Sequence, residues 1–132
     1  MYETLVLIDP ASDVSSDAAE TMLAALATEA PSGPRLTRSG DSMQLQWPDF
    51  HLSIVRNDMP HVAMESAEIA HQFASGQRQR EAISKCVVRF EIAGGDDWEM
   101  KYFTDFCLVV EGLERLGTVY TFDQGSAEFT NL

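Results

Sequence analysis

Cys86-Val87-Val88-Arg89-Phe90-Glu91-Ile92, followed by Gly94-Gly95-Asp96-Asp97 and then by Phe103, Phe106, Cys107, Val110 and Leu113 at helical spacing, is the stretch that decides the fold. In its first segment Cys86, Val88, Phe90 and Ile92 alternate with Arg89 and Glu91. That is the period of a half-buried strand, with the four apolar residues facing inward and the two charged ones opposing them. The glycine pair lets the chain reverse, and Asp96 or Asp97 caps the helix that follows. That helix runs up to Gly117, and residues 118–122 form a further strand. A strand, a helix and a strand in this order make a split βαβ unit once another strand lies between the two.

Toward the N-terminus, the apolar run at residues 5–8 ends at Asp9-Pro10 and suits a buried strand. Ser16 or Asp17 then caps a helix, with Glu20 three residues beyond Asp17 as in a capping box. Ala19, Met22, Leu23, Leu26 and Ala30 give that helix one apolar face, and Pro31-Ser32-Gly33-Pro34 stops it. Met43, Leu45 and Trp47 share one strand face; Phe50, Leu52 and Ile54 share another. Gly40-Asp41 and Pro48-Asp49 supply the turns. With a strand at residues 36–38, these make an antiparallel meander. Residues 62–74 are helical through Ala63, Ala67, Ala70 and Phe73, with Ile69 alongside. Gly76 ends that helix and residues 77–85 begin another. The tail, residues 123–132, adds a short edge strand. The order predicts a single α+β domain over residues 1–132. It is a two-layer sandwich of a mostly antiparallel sheet with helices on one face, built on a ferredoxin-like core plus an extra helix and strand.

Charge narrows the partners. The 132-residue chain carries a net charge of −12. Residues 1–34 hold six acids and no Lys or Arg, and residues 91–132 hold nine acids against Lys101 and Arg115. Residues 35–90 are nearly balanced, with seven bases and six acids. Nucleic acid is disfavoured, because its non-specific affinity comes from Lys and Arg displacing counterions. Anionic membrane surfaces are disfavoured for the same reason. Basic protein partners, or bound cations, are the positive implication. No apolar run approaches the ~20 residues of a membrane span. The chain enters its first strand without a basic leader, and two cysteines are too few for a disulfide scaffold. The expectation is a cytoplasmic protein.

Five side chains are candidates for metal ligation: Asp96, Asp97, His61, His71 and Glu68. The segment Gly94-Gly95-Asp96-Asp97-Trp98 resembles the GGDEF signature of diguanylate cyclases, whose acidic pair helps hold metal and nucleotide phosphates at a hairpin turn. Asp97 and Trp98 replace the usual Glu and Phe, and a helix rather than a strand follows, so the segment reads as a turn with a helix cap. Glu68 and His71 have the Glu-x-x-His spacing of di-iron bundles, but those need a second copy on another helix and none is present. His61 adds a third ligand type without a tetrahedral set. Cys86 and Cys107 occupy apolar positions, where cysteine behaves as a small hydrophobe. Asp105, flanked by bulky residues, faces outward, partners Arg89 or Lys101, or is one member of a site. Arg78, Arg80, Lys85 and Arg89 form the one basic cluster and balance the acidic flanks. No catalytic residue and no cofactor is assigned. The expected role is an acidic protein-interaction module, an inhibitor or immunity-like binder of a basic partner. The alternatives are a dimeric small-ligand sensor and, after that, a hydrolase using Asp96 and Asp97 with a divalent metal.

Overall fold

Leu5, Val6, Leu7 and Ile8 are all buried, a pattern that a strand adopts only when both faces of its sheet are covered. The computed structural model describes residues 1–29 and 33–132. Ala30, Pro31 and Ser32, where the first helix is expected to stop, lie outside the described residues. The element order is β1 (Tyr2–Ile8), α1 (Ser16–Glu29), β2 (Arg35–Ser39), β3 (Ser42–Trp47), β4 (Phe50–Asn57), α2 (Pro60–Phe73), α3 (Arg80–Ser84), β5 (Val88–Gly94), α4 (Phe103–Glu114), β6 (Val119–Asp123) and β7 (Glu128–Phe129). The strands form one seven-stranded sheet in the order β2-β3-β4-β5-β1-β6-β7, and every neighbouring pair is antiparallel.

The ferredoxin-like core is the run β4-β5-β1-β6. Two split βαβ units interlock in it: β1-α1-β4 spans β5, and β5-α4-β6 spans β1. The β2–β3 hairpin widens the sheet on one side and β7 on the other. The α+β class and the antiparallel sheet expected from the alternating segments are therefore present. The one-face placement of helices holds for α1 and α4. Their Ala19, Leu23, Val109 and Leu113 pack with Val6, Ile8, Leu45, Leu52, Ile54, Phe90 and Ile92. By contrast, α2 and α3 cover the other face, where Ala70, Ala74, Ile83 and Cys86 pack with Leu5, Leu7, Tyr120 and Phe122.

Several local readings shift in phase. The buried stripe of α2 is Val62, Ser66 and Ala70, while Ala63 and Ala67 are exposed. Exposing an alanine costs little, so the β-branched Val62 sets the rotation. In α4 the buried residues are Val109, Gly112 and Leu113. Gly112 lies directly under the Met22 side chain of α1, where a Cβ would collide with it. That close approach fixes the rotation of α4 and leaves Phe103 exposed and Cys107 only half-buried. The cap of α1 is Ser15, whose Oγ accepts the Ala18 N–H at 3.0 Å. Ser16 and Asp17 are engaged elsewhere, with Asp41 at 2.6 Å and Arg38 at 2.7 Å.

Candidate functional site

Gly94 lies at the root of the site because nothing larger fits there. It pairs with Tyr2 on one side and Leu52 on the other. A Cβ would lie 2.7 Å from Leu52 Cδ2 and 3.0 Å from Phe50 Cζ. The chain then leaves the sheet in a loop that Asp97 organises. Asp97 Oδ2 accepts the Tyr2 hydroxyl at 2.6 Å and the Tyr102 N–H at 2.8 Å, and Oδ1 accepts the Lys101 N–H at 3.0 Å. Partial burial works to raise the Asp97 pKa, but these donors and the nearby N-terminal charge outweigh it and hold the carboxyl below its ordinary value. The Tyr2 hydroxyl is correspondingly held up, first by desolvation and then by Asp97.

The far end of the loop is anchored as firmly. The Tyr102 ring stacks on Phe50 at 4.6 Å and its hydroxyl donates to Asp49. Met100 takes a left-handed backbone, φ 56°. Between these anchors Trp98 stands 89% exposed, flanked by the exposed carboxylates Asp96 and Glu99. Averaged over proteins, tryptophan is highly buried, so a braced loop that holds one in water is notable for binding.

A groove of about 460 Å³ begins beside this loop and runs between α4 and strands β1 and β6. Tyr2 joins the two features, since its ring stacks on Phe106 at 4.5 Å while its hydroxyl reaches Asp97. Phe103, Phe106 and Val110 supply an apolar wall; Glu111, Glu114 and Asp123 supply carboxylates, and among the described residues no Lys, Arg or His lines it. Glu114 is held in place by the Thr121 hydroxyl, which donates to it at 2.5 Å. Cys107 faces the groove, and burial followed by the charge of Glu111 pushes its thiol up.

The other candidates are scattered. Neither Asp96 nor Asp97 caps the helix as expected. Residues 98–102 intervene, so α4 begins at Phe103 with Tyr102 at its N-cap position and no side-chain cap bond. The Asp97 carboxylate instead braces that preceding turn, occupied by three donors. Asp96 is exposed and, among the described residues, meets only the N-terminal ammonium, at 3.9 Å. His61 sits at the start of α2, 3.4 Å from Asn57. His71 lies near the end of that helix, 3.2 Å from Arg80, and Glu68 is exposed on its outer surface. Among the described residues no group of three or more His, Cys, Asp or Glu is arranged to hold a metal ion, and no helix is long and apolar enough to cross a membrane. Cys86 is buried and its thiol is pushed up to about 12, chiefly by desolvation. Asp105 pairs with neither Arg89 nor Lys101. It borders a cavity of about 170 Å³ beside Trp47 and Leu26, and burial raises its carboxyl.

Of the basic cluster, Arg78 stays exposed beside Arg80, and the other three side chains are engaged. Arg80 donates to the Ala70 and His71 carbonyls and so caps α2. Lys85 pairs with Glu81 at 3.1 Å, and Arg89 is buried between Glu65 and Glu91. Sequence reasoning missed both the Trp98 loop and the groove. The available signal was a tryptophan set between acids in a segment with no strand or helix period. The chain matches no protein family model, no curated protein and no solved structure, so the functional reading rests on this geometry.

Proposed function

We propose that this protein is a small acidic interaction module that binds a basic protein partner, as an inhibitor or immunity protein covers a positively charged site. The observation that carries the reading is Trp98, nearly bare between Asp96 and Glu99 on a loop locked by Asp97. Tryptophan dominates interface hot spots because it buries a large, rigid surface at low entropy cost. Flanking carboxylates on a chain of net charge −12 steer a basic partner to that anchor and set the salt dependence of the encounter. Trp98 has almost no intramolecular contact to lose, so Trp98→Ala leaves stability within about 0.5 kcal/mol. At a hot spot it weakens binding by more than about tenfold.

The test is affinity capture by wild type and by Trp98→Ala from native lysate, followed by stopped-flow association at low and high salt. A basic partner lost by the variant, with an on-rate that falls steeply as salt rises, supports the reading. A partner held equally by both proteins, or a salt-insensitive on-rate, refutes it. The groove itself favours one second reading, a small-ligand sensor, because its volume lies within the range of ligand pockets. That reading requires a dimer whose melting temperature rises with one metabolite class. A monomer with no thermal response to ligands removes it.

A further inference from the structure

We infer that the groove between α4 and β6 receives a lysine or arginine side chain of the partner protein, seated beside the Trp98 anchor. This inference rests on the interaction reading above and specifies the chemistry of its second contact. The groove changes character along its length. Phe103 and Phe106 lie on the first turn of α4, nearest the Trp98 loop, and Glu111 and Glu114 lie toward its end, with Thr121 opposite Glu114 and Asp123 farther along β6 toward Tyr2. Phe106 and Glu111 are separated by about 7.5 Å along the helix axis at 1.5 Å per residue, a span that a long cationic side chain bridges. Such side chains lay their methylene stems on apolar surface and keep the charged head at polar groups.

The end of α4 makes the same demand independently. Its last turn carries no basic residue, although the negative end of a helix dipole favours cations and disfavours carboxylates. Glu111 and Glu114 sit there, and Glu114 is held toward the sheet by Thr121. Arg115 follows at the C-cap, exposed and outside the groove. Two carboxylates and a helix C-terminus therefore converge on a site that a cation neutralises. The occupant is a protein segment rather than a free metabolite because Tyr2 lines the groove while its hydroxyl holds Asp97 of the Trp98 loop, so a chain that docks on Trp98 has the groove beside it.

The probe is an acetylated, amidated hexapeptide of alternating leucine and arginine, titrated into the ¹⁵N-labelled protein. Its glutamine-for-arginine analogue and agmatine are titrated in parallel. The expected result is salt-sensitive amide shifts concentrated at Cys107, Glu111, Glu114 and Thr121, with little response to the glutamine analogue. Glu111→Lys, at an exposed position, weakens the arginine peptide by roughly fivefold or more, whereas Glu68→Lys on α2 does not. Equal binding of the glutamine peptide, shifts spread over the acids of α1 and α2, or agmatine binding as tightly as the peptide would each overturn the assignment. The last of these outcomes would make the groove a small-cation site. A captured basic partner that needs Trp98 and ignores Glu111→Lys would overturn the groove assignment and leave the interaction reading standing. Peptide seated in the groove with no Trp98-dependent partner would do the reverse.

Discussion

Replacing Arg89 with methionine is expected to cost less stability than replacing its two carboxylate partners with alanine. The guanidinium is buried under α2, its side chain only 6% exposed. Its Nη2 donates to Glu65 at 2.8 Å and its Nε to Glu91 at 2.8 Å, and Nη1 has no partner. The carboxylates are in a different position, since the Glu65 and Glu91 side chains are 45% and 33% exposed. Asn57 also donates to Glu91, at 2.9 Å. In Arg89→Met the charges left behind reach water. The desolvation cost of the guanidinium and its unsatisfied N–H group disappear, and a flexible apolar chain fills much of the space. The net loss is about 0–2 kcal/mol. In the Glu65→Ala, Glu91→Ala double variant a buried cation loses both counter-charges, which costs about 3–5 kcal/mol. Urea unfolding at neutral pH measures both, with unchanged m-values as the check that only stability has moved. The ranking persists at high salt because the guanidinium is shielded from mobile ions. If Arg89→Met loses more than the double variant, the guanidinium is a net stabiliser of the second layer and the desolvation argument is wrong.

Gly94→Ala places a Cβ 2.7 Å from Leu52 Cδ2 and 3.0 Å from Phe50 Cζ, both on buried side chains. It is expected to lower stability by about 1–3 kcal/mol in urea melts, and a neutral result would mean that the end of the sheet relaxes freely. Burial raises the Asp105 carboxyl above its ordinary value of 3.8, so the native state holds its proton to higher pH than the unfolded chain does. The stability this contributes is present at low pH and is lost as pH rises from 3.8 through the raised folded value. Asp105→Asn should therefore gain on wild type across that window and hold its advantage at neutral pH; a pH-independent difference in urea midpoints would contradict this. Cys86, with its thiol pushed up to about 12, should react with Ellman's reagent only at the global unfolding rate, while half-buried Cys107 reacts in the native state. Two thiols reacting together before unfolding would place Cys86 outside the core.

The parts of the fold legible in the sequence were those that a short window determines. Met43, Leu45 and Trp47, and then Phe50, Leu52 and Ile54, alternate cleanly because one face of their strands meets α1 and α4 and the other meets solvent. Asp97 was legible as a local acceptor of backbone N–H groups, but those it serves lie four and five residues on, in the turn before α4 rather than in the helix. The second layer was not legible. Its contact surface is small and polar at Ser66, Ala70 and Arg89, and such residues also describe an exposed helix and an outward strand face. Its key ion pair joins Arg89 to Glu65 across 24 residues. The rigidity of the Trp98 loop depends on Tyr2, 95 residues from Asp97, and the groove exists only where α4 meets β1 and β6. No periodicity carries such long-range information.

The place of the binding surface follows from the width of the sheet. Seven strands at about 4.8 Å spacing make a sheet about 29 Å across, whereas two packed helices, each about 10 Å wide with side chains, cover only about 20 Å. The helices cannot spread apart, because Gly112 of α4 is closed against Met22 of α1. A margin on their face must stay open, and at β6 its floor is Thr4, Thr121 and Asp123 rather than an apolar stripe. The opposite face has its own open margin over β2, β3 and β4, where Gln44, Gln46, His51 and Ser53 lie unshielded by α2 and α3. That polar face presents amides and hydroxyls already well solvated, so a partner gains little by drying them. The β6 margin has aromatic walls and, at Glu111 and Glu114, carboxylates with no Lys, Arg or His among the described lining residues, while the Met1 ammonium lies by Asp96 and the Trp98 loop adjoins the groove through Tyr2. Apolar area and unneutralised charge coincide there, so that is where association has free energy to gain.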